Sequence, residues 1–257
     1  MTQITGEAGM EEIELGHVIV FTSGKGGTGK TTAAAAVGSC LAALGCRTLC
    51  IDMDRTLRNL DLALGMHDAG ILDSGDVAAG RCTLAEAATL HPDIPELYLL
   101  NCPAEADDMA WQQTATLLSK ARDAYDYCLI DSPAGLGDGF RMAAAHADSA
   151  MLLVTSDSTS RRDAQKTMME LDRLGVTRVH LIVNRLRPGI LRRGAHTVDD
   201  IIDFVGAPLI GLVPEDKGVL LAAAAAKPLV LYGGGRAAKA FLRIAKRLKG
   251  DSVPLQL

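Results

Sequence analysis

The sequence predicts one doubly wound α/β domain: a single, mostly parallel sheet with helices on both faces. Three observations predict it. Seven short runs, "HVIVFTS", "RTLCI", "LYLLN", "DYCLID", "SAMLLVTS", "VHLIVNR" and "PLIGLVP", are for the most part continuously apolar rather than alternating, as strands covered on both faces must be. Longer segments of helical spacing separate them, among them "TTAAAAVGSCLAALG", "DMAWQQTATLLSKARDA" and "RRDAQKTMMELDRLG". The first and third close on Gly45 and Gly175, which suit a left-handed helix C-cap. Finally, the first apolar run leads directly into "SGKGGTGKTT", a glycine-rich turn followed by a helical run. Ligands of such a sheet are expected at the carboxyl ends of its strands.

No internal repeat, low-complexity tract or dividing linker interrupts the chain. The expected organisation is an acidic N-terminal arm over 1–16, one domain over 17–250 and a short tail over 251–257. At 48% apolar and 22% charged the 257 residues fall in the globular range. The 26 basic and 31 acidic residues leave a formal charge of -5, so the protein as a whole is no electrostatic partner for nucleic acid or anionic lipid. Six cysteines lie scattered in apolar stretches without a C-x-x-C pair; they read as reduced, buried small hydrophobes. Residues Met1 to Gly16 carry no basic-then-apolar signal pattern, and no apolar run reaches the roughly 18 residues of a membrane span. A soluble, cytoplasmic protein is expected.

Gly24 to Thr31 fits G-x-x-x-x-G-K-[ST] in the strand-loop-helix setting where backbone N–H groups and a helix N-terminus bind phosphate. Lys30 is expected to reach the outer phosphates and Thr31 to ligate Mg²⁺. Gly24, Gly26, Gly27 and Gly29 let the backbone approach, while Thr28 and Thr32 complete the loop and the helix start. Lys25 adds a second positive charge to an already cationic loop, so it needs an anion nearby or open solvent.

The carboxylates follow strands. Asp52 and Asp54 come just after the second run and Asp131 ends the fourth, with Gly135 free to let its loop switch. An apolar strand ending in Asp is the arrangement that holds Mg²⁺, here Asp131 with Asp52 beside it, and Asp54 is placed to orient or deprotonate an attacking water. A strand-terminal Asp also serves simply to cap a turn.

"GKGGTGKTT" resembles the deviant Walker A motif of the MinD/ParA ATPase family, and the likeness runs from about Val18 to Leu257, nearest the MinD branch through "DMDRTLRNLDLALG", "DSPAG" and "GLVPED". The resemblance implies an ATP- and Mg²⁺-dependent switch ATPase that hydrolyses slowly, forms a homodimer with ATP, and places the division site together with protein regulators. It also implies that Lys25 crosses the dimer interface to the partner's nucleotide, that Asp52 and Asp54 belong to a first switch, and that Asp131 belongs to a second. Within "IVNRLRPG" and "GLVPED" it implies an adenine site, with Asn184 bonding the base edge, Arg185 stacking on it, and Pro214, Glu215 and Asp216 lining the pocket. A polar strand end accounts for Asn184 and Arg185 equally simply.

Three departures stand out. Arg55 and Thr56 replace the family's apolar residue and glycine. "TSDSTSRRDA" replaces the usual Asn-Pro-Glu lead-in to a partner-contacting helix. "GDSVPLQL" stands where the MinD branch continues into a basic amphipathic helix, so membrane binding by the protein itself is not expected. The last helical stretch, with Arg236, Lys239, Arg243, Lys246, Arg247 and Lys249 opposite Phe241, Ile244 and Leu248, is expected to dock its apolar face and leave its charges solvated. The competing classes are a DNA- or cargo-positioning ATPase, which needs a basic surface, and an iron-sulfur carrier, which needs cysteines after the second switch that this sequence lacks.

Overall fold

The computed structural model describes residues 15–55, 57–67, 69–103, 111–187 and 197–256. Its first strand, β1 (His17–Thr22), sends alternate side chains into two separate cores. Val18 and Val20 enter one, Ile19 and Phe21 the other, and all four are fully buried. Successive strand residues point to opposite faces, so a strand covered twice shows no alternation in its sequence.

After β1 come α1 (Lys30–Ala43), β2 (Thr48–Asp52), α2 (Leu60–Ala63), α3 (Ser74–Ala78), α4 (Leu84–Ala87), β3 (Thr89–Leu90), β4 (Leu97–Leu100), α5 (Trp111–Ala124) and β5 (Tyr127–Asp131). The chain continues through α6 (Asp138–Ala144), β6 (Ser149–Val154), α7 (Ser158–Arg173), β7 (Val179–Leu186), α8 (Val198–Val205), β8 (Leu209–Pro214), α9 (Lys217–Ala224), α10 (Leu229–Tyr232) and α11 (Arg236–Leu248). The sheet order is β3-β4-β2-β5-β1-β6-β7-β8. Every pairing is parallel except β3 with β4. All seven expected strands are present. The eighth, β3, was not anticipated, because two residues on an edge hairpin leave no apolar run to read.

The order reverses at β1, whose neighbours are β5 and β6. A crevice therefore opens beyond the carboxyl ends of these strands, where a parallel sheet binds ligands. Helix α1 starts there and is apolar nearly all round. It lies so close to the sheet that a Cβ on Gly38 would come 2.5 Å from the Cys50 sulfur. Gly45 and Gly175 do end their helices in the left-handed region, at φ 83° and 82°.

Helix α11 docks its apolar face as expected, with Phe241 and Ile244 buried against the core shared with α1 and β8, but Arg247, expected to stay solvated, is half-buried and bonded to backbone. Residues 251–256 form no helix, and the Arg247 guanidinium donates to the carbonyls of Ile210, Val253 and Pro254 at 2.7, 2.9 and 2.6 Å. Among the described residues no helix is long and apolar enough to cross a membrane. Residues 1–14 of the expected arm over 1–16, Thr56, and Pro188 with Gly189 of "IVNRLRPG" fall outside the described residues.

Gly211 in β8 has no room for a side chain, since its Cβ would stand 2.3 Å from Ile244 Cγ1. Gly211→Ala should cost about 1–3 kcal/mol through overpacking. In urea unfolding, adding Ile244→Ala, which removes the clashing atoms, should make the pair less destabilising than the sum of the single changes.

Candidate nucleotide site

Between β1 and α1 the chain turns back through residues 23–29. Gly27 and Gly29 take φ values of 77° and 98°, a region side chains rarely enter, and a Cβ on Gly29 would also meet the Asn184 amide nitrogen at 2.6 Å. Gly24 has a packing reason to be glycine as well. Its Cβ would lie 2.4 Å from the Asp163 carbonyl oxygen, so glycine here lets the loop sit on α7. Internal bonds brace the turn: the Thr28 hydroxyl donates to Ser23 Oγ at 2.8 Å, and the Ser23 hydroxyl donates to the Lys25 carbonyl at 2.7 Å. Helix α1 has no side-chain N-cap and no acid in its first turn. Its leading N–H groups, with the loop in front of them, are left to an anion.

Sheet register then assembles the carboxylates. β2 and β5 are neighbours, and Asp52 stands opposite Asp131. The Thr31 hydroxyl donates to Asp131 Oδ2 at 2.6 Å, while Asp131 Oδ1 is buried with no partner among the described residues. Asp52 accepts the backbone N–H groups of Asp54 and Leu60 at 2.9 and 3.1 Å, one on each oxygen, so it holds the loop after β2 in shape. Asp54 is buried and its Oδ1 accepts the Leu57 N–H at 3.2 Å. Burial pushes the Asp131 carboxyl up to about 7, against the Thr31 hydrogen bond and with help from the Asp52 charge. It likewise raises Asp52 to about 6. Lys30 is buried among these acids; desolvation lowers its pKa, and the charges of Asp131 and Asp54 oppose that.

These residues fit a hydrated divalent cation. Its charge would favour both buried carboxylates in their ionised form, and the orphaned Asp131 oxygen would accept from one of its waters. Thr31 would supply the hydroxyl ligand.

Lys25 has found an anion within its own chain. Its ammonium lies 3.7 Å from Asp157 Oδ1, with both side chains about half exposed (47% and 48%), a pairing that contributes little to stability. Asp157 also caps α7 by accepting the Ser160 N–H at 2.9 Å. Partial burial pushes its carboxyl up, and hydrogen bonds from Thr155 and Ser160 with the Lys25 charge more than reverse that, leaving it below the usual range.

Beside the loop opens a cavity of about 750 Å³, bounded by Gly29, Thr32, the end of β7, the Val213–Asp216 turn, and the starts of α9 and α11. Asn184, Arg185, Pro214, Glu215 and Asp216 all line it, so the structure brings the expected base-side residues together. It also commits their polar groups. Asn184 donates to the Thr28 carbonyl at 2.8 Å and accepts the Arg185 N–H at 2.9 Å, which clamps the phosphate loop to β7 and leaves one N–H and one lone pair for a base edge. Asp216 accepts the Gly218 N–H at 2.8 Å and the Ala237 N–H at 3.0 Å, capping two helices at once. Glu215 takes a forked bond from the Arg187 guanidinium. Arg185, at φ 53°, lines both this cavity and a smaller cleft of about 310 Å³ beside Lys25.

Sequence reading missed Ser23, Asp157, Arg187 and Arg236. Asp157 sits in the segment that departs from the family pattern, which was a signal. Nothing local pairs Arg187 with a residue 28 positions away.

The raised carboxyls have a pH signature. A carboxyl whose folded pKa lies above its unfolded value binds more protons when folded, so stability falls as pH rises between the two values. For Asp131 that window runs from 3.8 to about 7. Without nucleotide or Mg²⁺, Asp131→Asn should gain at least about 2 °C in Tm relative to the unsubstituted protein between pH 4 and 7.5. Equal slopes in the two proteins would contradict the buried-carboxylate account.

Comparison with known proteins agrees with this geometry. The CobQ/CobB/MinD/ParA nucleotide binding domain matches residues 19–229. The septum site-determining protein MinD of Synechocystis is 37% identical over 244 residues, covering 93% of this chain and 92% of that protein. In the MinC:MinD cell division protein complex of Aquifex aeolicus, the matching chain superposes with a TM-score of 0.88 at 36% identity, covering 94% of this chain and 98% of that one. MinD of Pyrococcus horikoshii, complexed with Mg-ADP, gives 0.81 at 27% identity over 91% and 96%. With the phosphate loop, the paired strand-end carboxylates and these likenesses in agreement along nearly the whole length, the chain belongs to the CobQ/CobB/MinD/ParA nucleotide-binding family as a MinD-type ATPase of division-site placement.

Proposed function

We propose that this ATPase is a slow, ATP-dependent dimerising switch, stimulated by protein regulators of division-site placement, with MgATP held between the phosphate loop and the cavity under β8. The observation that carries the reading is the pair of buried acids, Asp131 and Asp52, with the half-buried Thr31 bonded to Asp131 and Lys30 beside them; an Asp131 oxygen without a partner among the described residues and raised carboxyls suit a cation. Lys30 neutralises charge on the outer phosphates, and Asp54 positions the attacking water, since phosphoryl transfer requires in-line placement and charge neutralisation more than covalent chemistry. Thr31, Asp131 and Asp52 would hold Mg²⁺, which would supply charge neutralisation at the phosphates. Lys25 leaves Asp157 to meet the second subunit's nucleotide. The Aquifex structure joins MinD to MinC; a regulator of that kind is the partner this reading supplies for the present chain.

The base follows from the same bonds. Guanine presents N–H groups that need an acceptor, normally a carboxylate, and both cavity carboxylates are already engaged, Glu215 by Arg187 and Asp216 by two helix ends. An unpaired buried donor costs about 1–3 kcal/mol. Equilibrium titration should therefore show ATP binding at least about tenfold tighter than GTP.

Dimerisation tests the switch. In an Asp54→Ala background that retains ATP, size-exclusion chromatography with light scattering should show an ATP-dependent dimer, and Lys25→Ala should abolish that dimer while preserving nucleotide binding. Lys30→Ala should lose binding altogether. A Lys25→Ala protein that still dimerises would leave Lys25 a surface charge paired with Asp157.

A further inference from the structure

Among the polar side chains of the 750 Å³ cavity, Asn184, Glu215 and Asp216 are occupied by intramolecular bonds, and the charged groups that remain are the cations Arg185, Lys217 and Arg236. Of these, Arg236 stands at the start of a helix tied to the cavity rim. It is the first residue of α11, and the next residue, Ala237, donates its N–H to Asp216 at 3.0 Å, so the backbone at Arg236 is fixed to the cavity rim. Three glycines precede it, the first at φ 123°. Its guanidinium makes no hydrogen bond or ion pair among the described residues; Asp216 attracts it only at longer range. Close by, the cavity walls are apolar: Val213, Pro214, Val219, Leu220 and Phe241. An exposed cation at the mouth of an apolar slot suits a flat π system. A guanidinium is planar and weakly hydrated and stacks on aromatic faces, which the compact ammonium of Lys217 does not.

Resting on the nucleotide-site reading above, we propose that Arg236 lies over the face of the nucleotide base and closes the open side of the cavity, acting as a positioning and affinity residue with no part in the chemistry. Stacking is indifferent to which edge groups a base carries and acts on the bound nucleotide before and during hydrolysis alike. Arg236 thus raises affinity for a nucleoside triphosphate over bare polyphosphate and leaves the bond-breaking step alone.

The test compares Mg²⁺ complexes of ATP, 2′-deoxy-ATP and inorganic tripolyphosphate by calorimetric titration of the full chain and of Arg236→Ala. ATP and deoxy-ATP should each bind about tenfold more weakly to the variant, the scale of one base stack, with tripolyphosphate unchanged. KM for ATP should rise by the same factor with kcat within about twofold, and Arg236→Lys, which keeps the charge but not the plane, should recover little. Unchanged ATP affinity overturns the proposal, as does an equal loss for tripolyphosphate, which would mean bulk charge or structural damage. A loss confined to ATP and absent with deoxy-ATP overturns it too, by placing the contact on the ribose hydroxyl. The nucleotide-site reading fails separately, if neither ATP nor tripolyphosphate binds the unsubstituted protein. Tm without ligand should be the same in both proteins, since the backbone bonds to Asp216 survive the substitution.

Discussion

Two carboxylates at the ends of adjacent strands, facing one another in register at Asp52 and Asp131, impose the constraint on which the site depends. Both are almost fully buried, at 1% exposure each, and two like charges out of water at that separation disfavour joint ionisation. The arrangement is uncomfortable without a cation and settled with one. Each acid is also a hinge pin. Asp52 holds the loop from Asp54 to Leu60 by its backbone, and Asp131 holds the Thr31 hydroxyl at the start of α1. A change of charge at this point therefore acts directly on the two segments that would have to move in a switch, through bonds of about 3 Å rather than through the body of the sheet.

The other half of the site is built differently, with Asn184, Glu215 and Asp216 paired before any ligand arrives and the cations Arg185, Lys217 and Arg236 left along the lining. Asn184 ties the phosphate loop to β7, and Asp216 ties the starts of α9 and α11 to the end of β8. A carboxylate that receives two helix N-termini is held well in its ionised form: hydrogen bonds from the Ala237 and Gly218 N–H groups keep the Asp216 carboxyl below its usual range. In the phosphate half the buried acids stand out instead, with burial raising the Asp52 and Asp131 carboxyls.

Lys25 shows how the two levels of description differ. Loop chemistry leaves it needing an anion or solvent, and the folded chain offers Asp157, at the cap of α7. A half-exposed pair of this kind is weak enough to exchange for a stronger anion. The segment around Asp157 is also the one that departs from the family pattern, so the resting partner of Lys25 and the start of α7 are set by the same few residues.

By itself the sequence determined whatever is local in the backbone or periodic in the side chains. The seven main strands, the phosphate loop and the strand-end acids are all legible, because continuous apolar runs, glycine in the turn and an Asp after an apolar run leave marks within a few residues of one another. The docking of Phe241 and Ile244 on the core was legible for the same reason. The tertiary structure alone decided which acid faces which, that Gly24 makes room for α7, that Asn184 and Asp216 spend their bonds inside the protein, and that Arg236 reaches the cavity. Those partnerships join residues far apart in the chain. They are fixed by sheet order and helix packing, and nothing in the local sequence around either partner encodes the other.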